Sequence, residues 1–434
     1  WMAVFRAKKR DEQRSMHIRT HTLAISLGLS AGIVLAFARR RKSKYLAPCA
    51  QRLADATVAD LPHIETYLKF KAGTHDNRKE DAPTQERVRI YDARGAVKRF
   101  TLDEHGFALV RAPAYDSSTI DIYEDPESVR SKLYPMMEQM MLSELPGVTR
   151  VLLFDHLIRN RVRLEAELTE AVEECMASAH KKHAHEKRAG NPISRQTSCD
   201  HEDECQCRVR TECEAAARPK TRFLEMPLGH VHGDYTVRSG YTRARQLLEP
   251  YCTEAEVEAA LSERFAIINV WHPIGPMPVR TDPLTMCIWG SFGPRDVMTK
   301  RLTFPHRVGE TYQALPSPRQ RWVYFSGMSR DEAILLKTFD SLDDGSTSLF
   351  SIHSAFRTPE QDRPDASSLP VRESIELRAL VLYGKGLGHI APDFVNPSLA
   401  GTEAPQKVRE QAKLTELELY NLVSTAVLPA GDAW

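Results

Sequence analysis

The sequence predicts a mainly β protein with flanking helices, an α+β chain whose strands form a sheet sandwich or barrel. Short runs of alternating apolar and polar residues, rich in β-branched and aromatic types, recur along one continuous stretch. Helical spacing is confined to a few segments between these runs, and the chain contains no internal repeat. Many strands with few helices in one run are typical of sandwiches and barrels.

The composition describes a globular chain with almost no net charge. With 434 residues, 42% of them hydrophobic, the chain is long enough to bury one large core or two ordinary ones. Its 59 basic and 58 acidic side chains leave a formal charge of +1, so no overall field attracts nucleic acid. Most of the eight cysteines fall in one polar segment, which argues against a whole-chain disulfide framework and favours a reducing, cytoplasmic location.

Residues 1–60 are predicted to be a basic N-terminal segment around an apolar helix. Residues 22–38 carry no charge, and their length is at the lower edge of the roughly 17–25 residues that span a bilayer. The sequence leaves three alternatives open: a membrane anchor, a targeting presequence, or an extension that is not part of the functional protein.

Residues 61–163 are predicted to form the N-terminal part of the catalytic domain. The runs Arg87–Tyr91, Val97–Leu102 and Gly106–Val110 indicate strands of a small antiparallel unit. Between Asp125 and Ser143, methionines recur at near-helical spacing, which predicts a helix with its methionine stripe against the core. Val148–His156 is predicted to be a buried strand.

Residues 164–220 are predicted to be a polar, largely disordered insertion. The segment has very few apolar residues with which to form a core. A zinc site is the alternative, but the spacing lacks the two close Cys-x2–4-Cys pairs of structural zinc sites. The residues that suggest it are Cys199, His201, Cys205, Cys207 and Cys213.

Residues 221–430 are predicted to form the core of the domain. Thr253-x-x-Glu256 is a capping box that indicates a helix N-terminus, and the nearly continuous apolar run Phe265–Trp271 indicates a strand buried on both faces. The other predicted elements are strands at Leu224–Thr236, Arg321–Phe325, Ser348–Phe356 and Arg372–Tyr383, and helices at Tyr241–Leu248, Arg330–Phe339 and near Thr415–Thr425.

The triplet His232-Gly-Asp234 is the first half of a candidate metal site. Alternate side chains of a strand share one face, so His232 and Asp234 project together about 7 Å apart along the backbone, and both can reach one cation. His230 shares that face but lies about 13 Å from Asp234, too far for all three to hold one ion. A third ligand must therefore come from elsewhere in the chain.

His353, in a later strand, is the predicted third ligand, with His306 as its rival. Two neutral imidazoles and one carboxylate form the facial triad that suits non-haem Fe(II) and leaves positions open for a cosubstrate and dioxygen. Because each residue type has a place in that triad, the set His232, Asp234 and His353 predicts an iron site.

Arg372-Glu-Ser374 is the predicted anchor for 2-oxoglutarate, with Arg378 as the alternative arginine. Arginine binds a carboxylate through two parallel hydrogen bonds, and a hydroxyl on the same strand face adds another donor. The far carboxylate of 2-oxoglutarate would pair with these residues while its 2-oxo acid end binds iron. Four aromatic residues are the candidate wall of the substrate pocket: Tyr235, Trp271, Trp322 and Tyr324.

Six motifs in this order resemble the fungal aspergillic-acid hydroxylase/desaturase family. The motifs are His232-Gly-Asp-Tyr-Thr, Asn269-Val-Trp-His-Pro-Ile, Arg321-Trp-Val-Tyr-Phe, Leu335-Leu-Lys-Thr-Phe-Asp-Ser, His353-Ser-Ala-Phe and Arg372-Glu-Ser-Ile-Glu. That family is similar to the cephamycin 7α-methoxylation component and to iron/2-oxoglutarate oxygenases of fungal secondary metabolism. The resemblance covers residues 65–164 and 221–425, and implies a double-stranded β-helix (jelly-roll, cupin-like) with His232, Asp234 and His353 as iron ligands.

The leading hypothesis is therefore an Fe(II)/2-oxoglutarate-dependent oxygenase that uses dioxygen to hydroxylate or desaturate a small natural product. The alternative is a non-catalytic or accessory subunit on the same fold that partners a methyltransferase. A third hypothesis is a scaffold anchored to a membrane through residues 22–38. A homo-oligomer is compatible with each of them, and nucleic acid is not an expected partner.

Overall fold

The computed structural model describes residues 48–70, 84–188, 202–221, 223–304 and 307–384. Numbered in chain order among these residues, the strands are β1 (His63–Phe70), β2 (Thr84–Asp92), β3 (Phe107–Arg111), β4 (Arg150–Asn160), β5 (Leu224–Glu225), β6 (His232–Gly233), β7 (Phe265–Pro273), β8 (Leu284–Cys287), β9 (Val297–Phe304), β10 (Arg307–Ala314), β11 (Trp322–Tyr324), β12 (Glu332–Asp340), β13 (His353–Ala355) and β14 (Glu373–Leu382).

The helices lie mainly before and between the strands. The α-helices of the described residues are α1 (Pro48–Val58), α2 (Leu102–His105), α3 (Pro126–Ser128), α4 (Tyr134–Glu144), α5 (Arg161–Arg188), α6 (Glu202–Ala216), α7 (Val237–Leu248) and α8 (Glu254–Ser262). A π-helical turn, Val129–Leu133, joins α3 to α4, and short 3-10 turns occupy Arg94–Arg99, Pro294–Asp296, Pro359–Asp362 and Ala366–Ser368. The run Val97–Leu102, predicted to be a strand, lies instead in the end of the first 3-10 turn and the start of α2.

Two mostly antiparallel sheets carry the fold. The larger has eight strands in the order β1-β2-β11-β8-β13-β6-β10-β9, and the smaller has six in the order β3-β12-β7-β14-β4-β5. Among the strands of the described residues, the β2–β11 and β4–β5 pairs are parallel and the other pairs are antiparallel. Apolar side chains of both sheets pack against one another, with Trp271 and Ile334 of the smaller sheet meeting Met286 and Val323 of the larger. The mainly β prediction is confirmed.

Strand β7 is buried on both faces, as its apolar run predicts. Ile268 and Val270 pack beneath helix α4, against the fully buried Met137 and Met141. Trp271, on the opposite face of the strand, packs between the two sheets. The predicted methionine stripe is therefore core, and its burial contributes about 1.5–3 kcal/mol for each side chain.

Residues 330–339, predicted to be a helix, form strand β12 instead. The run Glu332–Asp340 consists mainly of good helix formers, and a strand buried on both faces shows no alternation that would distinguish it from a buried helix. Its pairing with β3 and β7 determines the strand. The buried Lys337 of β12 makes ion pairs with Asp103 (2.6 Å) and Asp340 (2.8 Å), which compensate its charge.

The polar segment 164–220 differs from the predicted disordered insertion, since its described parts are helices α5 and α6. Charged pairs one turn apart, Arg163–Glu167 and Arg210–Glu214, support helices that have few apolar residues. A disulfide between Cys175 and Cys213 joins the two helices. Because Cys213 is bonded to Cys175, it is not available to the alternative zinc site.

Several sequence predictions fall on residues that the structure does not describe: the apolar segment 22–38, the helix near 415–425, the rival ligand His306, and Cys199 and His201 of the alternative zinc site. Within the described ranges, no helix combines the length and the apolar character needed to cross a membrane. The predicted capping box at Thr253 is confirmed, because its hydroxyl accepts a hydrogen bond from the backbone N–H of Glu256.

Gly240 of helix α7 allows the helix to lie directly on Phe339 of β12. A Cβ at position 240 would stand 2.1 Å from the Phe339 ring, and that ring is enclosed by Tyr241 (5.3 Å) and Phe265 (5.5 Å). We therefore expect Gly240→Ala to destabilise the protein by about 3 kcal/mol, measured from the urea midpoint. Gly95→Ala is the control, because nothing lies within 4 Å of its Cβ position. Equal midpoints for the two variants would contradict this packing.

Candidate metal centre

His232, Asp234 and His353 lie together between the sheets. His232 and His353 are direct partners across strands β6 and β13, and their ring centroids are 4.3 Å apart. Asp234 Oδ1 lies 3.4 Å from His232 Nε2 and 3.9 Å from His353 Nε2. All three donor atoms lie within 4.8 Å of one another. His230, which strand geometry excludes from the site, is not a member of this cluster.

Backbone carbonyls set the orientation of both imidazoles. His232 Nδ1 lies 2.8 Å from the carbonyl oxygen of His230, and His353 Nδ1 lies 3.4 Å from that of Ser351. A carbonyl can only accept a hydrogen bond, so the proton of each neutral ring is on Nδ1 and the lone pair is on Nε2. Both lone pairs are then on the ring edge that faces Asp234, the arrangement expected of metal-binding histidines.

The electrostatics of the cluster also suit a cation. Burial lowers the pKa of His353 to about 4, and the neighbouring His232 adds to that shift, so the His353 ring is neutral at pH 7. Burial alone would raise the pKa of Asp234, but the contacts of its carboxylate with His232 and His353 and the positive charge of Arg378 hold that pKa well below its usual value. Two imidazole nitrogens and one carboxylate fit a divalent cation such as Fe(II).

Asp234 is positioned from both sides. Helix α7 begins directly after it, where Thr236 and Ser239 form a reciprocal capping box. The second carboxylate oxygen, Oδ2, accepts a hydrogen bond of 2.7 Å from Asn269 Nδ2 of strand β7. The other oxygen, Oδ1, is the one that faces the two histidines.

Arg372 is a buried cation with only neutral hydrogen-bond partners. Its side chain is directed to Ser374 Oγ (3.0 Å) and to the carbonyl oxygen of Asp282 (2.6 Å), and its guanidinium lies 5.0 Å from the Trp271 ring centre. The residue is 3% exposed, and among the described residues it makes no ion pair with a carboxylate. Burial lowers the pKa of Arg372 to about 9, helped by the positive charge of Arg159.

Arg378, the alternative anchor, is already paired. It donates to Glu376 (2.8 Å) and to Asp155 (3.1 Å), so two carboxylates neutralise it. The structure therefore distinguishes Arg378, within strand β14, from Arg372, which directly precedes the strand: Arg378 has anionic partners, and Arg372 makes no ion pair with any described carboxylate.

The four predicted pocket residues do not lie together. Val323 pairs with Met286, and Met286 pairs with His353, so Val323 shares the face that carries the metal cluster. Trp322 and Tyr324, one residue to either side, project from the opposite face of β11. Their place in the substrate pocket stays a prediction.

The other two predicted pocket residues lie inside the fold. Trp271 lies beneath Arg372, as a wall residue should. Tyr235, by contrast, packs against the apolar cluster of Leu152 and Phe154. Trp271 is therefore next to the predicted anchor Arg372, and Tyr235 is close enough to the alternative anchor Arg378 to interact with its charge.

Two residues near the cluster were not predicted from sequence. Asn269 contacts Asp234. The sequence could have indicated a role for Asn269, because it is the one polar residue in the apolar run Phe265–Trp271. The backbone carbonyl of Asp282 accepts a hydrogen bond from Arg372, and Asp282 has a positive backbone φ of 45°. The Gln361 side chain holds Asp282 through hydrogen bonds with its backbone N–H and its carboxylate. No local pattern in the sequence marks Asp282.

Comparisons with known proteins agree with this geometry. A family model described as an oxidoreductase/YMDC permease-like domain matches residues 56–212 and 200–382. The hydroxylase/desaturase asaB of Aspergillus flavus is 35% identical over 150 residues, which cover 32% of this chain and 63% of asaB, less than two thirds of its length. The hydroxylase/desaturase efuI of Hormonema carpetanum is 25% identical over 344 residues, which cover 77% of this chain and 92% of efuI.

A solved structure bears on the fold. The iron and alpha-ketoglutarate-dependent endoperoxidase NvfI has 23% sequence identity and a TM-score of 0.52, with 74% of this chain and 98% of NvfI covered. This likeness confirms the predicted jelly-roll class for the two facing sheets.

Proposed function

We propose that this chain, which belongs to the oxidoreductase/YMDC permease-like family, is an Fe(II)/2-oxoglutarate-dependent oxygenase. Its proposed reaction is the hydroxylation or desaturation of a small secondary metabolite. The observation that carries this proposal is the convergence of three donor atoms, two of them imidazole nitrogens whose lone pairs face a carboxylate. The named relatives asaB and efuI, both hydroxylase/desaturases, support the reaction class.

His232, Asp234 and His353 would hold the iron through two Nε2 atoms and one carboxylate oxygen. Bound Fe(II) would supply the oxidative decarboxylation of 2-oxoglutarate by dioxygen, which yields succinate and carbon dioxide and oxidises a substrate C–H bond. The task of the three side chains is to occupy one face of the ion and leave the other face accessible to cosubstrate and dioxygen.

Arg372 and Ser374 would bind the far carboxylate of 2-oxoglutarate. A buried guanidinium without an anionic partner is costly, and a carboxylate that arrives with the cosubstrate would compensate it. The carbonyl of Asp282 and the ring of Trp271 hold the guanidinium in place before the anion binds. The site would therefore be largely organised in advance, which lowers the entropic cost of binding.

The test measures binding of Fe(II) and 2-oxoglutarate without oxygen, and then turnover in air. Fe(II) and then 2-oxoglutarate are added to purified protein without oxygen, and we expect the visible metal-to-ligand charge-transfer absorption of a chelated 2-oxo acid. Admission of air should convert 2-oxoglutarate to succinate in an iron-dependent manner. Protein that binds no iron and forms no succinate would contradict the proposal and favour the accessory-subunit alternative. The same protein incubated with EDTA is the control.

A further inference from the structure

Asn269 lies behind the proposed metal ligand Asp234, on the neighbouring sheet. Its Nδ2 donates to Asp234 Oδ2 at 2.7 Å and to Glu376 Oε1 at 3.2 Å. Asn269 is completely buried, in a strand whose other residues from Phe265 to Trp271 are apolar. A buried amide in such a strand is retained at a cost, which its contact with Asp234 explains.

The orientation of the Asn269 amide follows from charge. Its NH2 group has two hydrogens, and each has a carboxylate to which it can donate. If the amide were rotated by 180°, its carbonyl oxygen would face both carboxylates and repel them. Asp234 and Glu376 therefore hold the amide with its donors toward them.

Glu376 is held in turn by a chain of ionic contacts. Arg378 donates to Glu376 at 2.8 Å and to Asp155 at 3.1 Å, so the guanidinium bridges two carboxylates across strands β14 and β4. Arg378 and Glu376 lie opposite Asn269 and Trp271 in the pairing of β14 with β7. The chain Asp155–Arg378–Glu376–Asn269–Asp234 thus extends across three strands of one sheet to the metal cluster.

We propose that Asn269 is a positioning residue, which holds one oxygen of Asp234 so that the other remains directed at the metal, and that Arg378 and Glu376 fix Asn269 for this task. The inference rests on the proposed iron site. With Oδ2 engaged by Asn269, Asp234 offers a single oxygen to the ion. The carboxylate then occupies one coordination position, which leaves the remaining positions to cosubstrate and dioxygen.

The test measures metal affinity and coordination without turnover. Titration with Co(II) alone gives the affinity, and the d–d absorption of bound Co(II) reports coordination number and geometry. Because loss of such an outer partner usually lowers metal affinity by about 10–100-fold, we expect Asn269→Ala to fall in that range and to change the Co(II) spectrum. Asn269→Leu, which fills the volume without a donor, should give the same result.

Thr338→Val is the matched control. Thr338 is also fully buried in the smaller sheet, where it donates to the carbonyl of Ile267, but it has no contact with the metal cluster. It should retain wild-type Co(II) affinity and spectrum even if its thermal midpoint falls. Glu376→Gln, which keeps the shape but removes the charge that orients Asn269, should bind Co(II) more weakly than wild type.

The outcomes separate the two proposals. Wild-type protein that fails to bind Co(II) would overturn the metal site itself. Wild-type binding together with unchanged affinity and spectrum in Asn269→Ala and Asn269→Leu would overturn the positioning role and leave the metal site intact. If both variants fold poorly, Glu376→Gln decides: wild-type affinity in that variant would contradict the chain of contacts.

Discussion

His232→Ala is expected to abolish iron binding and 2-oxoglutarate turnover. The substitution removes one of three converging donor atoms, the Nε2 that lies 3.4 Å from Asp234 Oδ1. Since loss of an outer-shell partner alone costs about 10–100-fold, loss of a ligand should lower iron affinity by more than about 100-fold. Succinate formation and iron content after gel filtration are the two measurements.

His230→Ala is the control for that experiment. His230 is exposed and lies two residues earlier, and its imidazole is not one of the three converging donors, so its side chain should be dispensable for metal binding. A substitution at 230 that abolished activity while one at 232 did not would reverse the assignment of ligands. Wild-type turnover in His232→Ala would remove the iron site altogether.

Arg372→Met is expected to weaken 2-oxoglutarate binding by about 30-fold to a few thousand-fold. Truncation of one partner of a buried charge pair costs about 2–5 kcal/mol, and every 1.4 kcal/mol is tenfold in affinity. Arg372→Lys keeps the charge but loses the planar fork, so its affinity should lie between those of Arg372→Met and wild type. The charge-transfer absorption, titrated with 2-oxoglutarate under anaerobic conditions, measures each affinity.

Two comparisons make the Arg372 result specific. Iron affinity in the absence of 2-oxoglutarate should be unchanged in Arg372→Met, because Arg372 is not a member of the metal cluster. Arg280→Met, which removes an exposed arginine paired with Glu360, should bind 2-oxoglutarate as wild type does. Unaltered 2-oxoglutarate affinity in Arg372→Met would show that the cosubstrate carboxylate binds elsewhere.

The sequence predicted structure well where the pattern involves only residues close together in the chain. The capping box at Thr253 involves residues three apart, and the run at Phe265 needs only its own apolar side chains, so both could be recognised without knowledge of the fold. The prediction of a helix at residues 330–339 was wrong because the structure there depends on distant residues. The good helix formers of this segment become strand β12 only because β3 and β7 pair with it on either side.

The candidate site shows the same division. His232 and Asp234 could be paired from their spacing, and His353 and Arg372 from the residue types that such a site needs. The contact of Asn269 with Asp234 depends on how the two sheets face each other, which no spacing in the sequence encodes. The disulfide between Cys175 and Cys213 likewise depends on the packing of α5 against α6.

The sequence also could not predict which face of the sheet each side chain of a short strand occupies. Trp322 and Tyr324 belong to a strand of three residues, and which face they occupy is decided by the register of Val323 with Met286. A shift of one residue in that register would exchange the faces. The aromatic residues of β11 could therefore be assigned to a strand from sequence, but not to the pocket.

The direct pairing of His353 with His232 also has a mechanical consequence. Strands β6 and β13 are only two and three residues long, yet they occupy central places in the eight-stranded sheet, between β8 and β10. An ion held by both imidazoles would act as a cross-link between segments far apart in the chain, at the point where the sheet has fewest backbone hydrogen bonds. Anything that binds only the native state stabilises it. A bound metal ion would therefore stabilise the short pairing of β6 with β13 in addition to its role in the reaction.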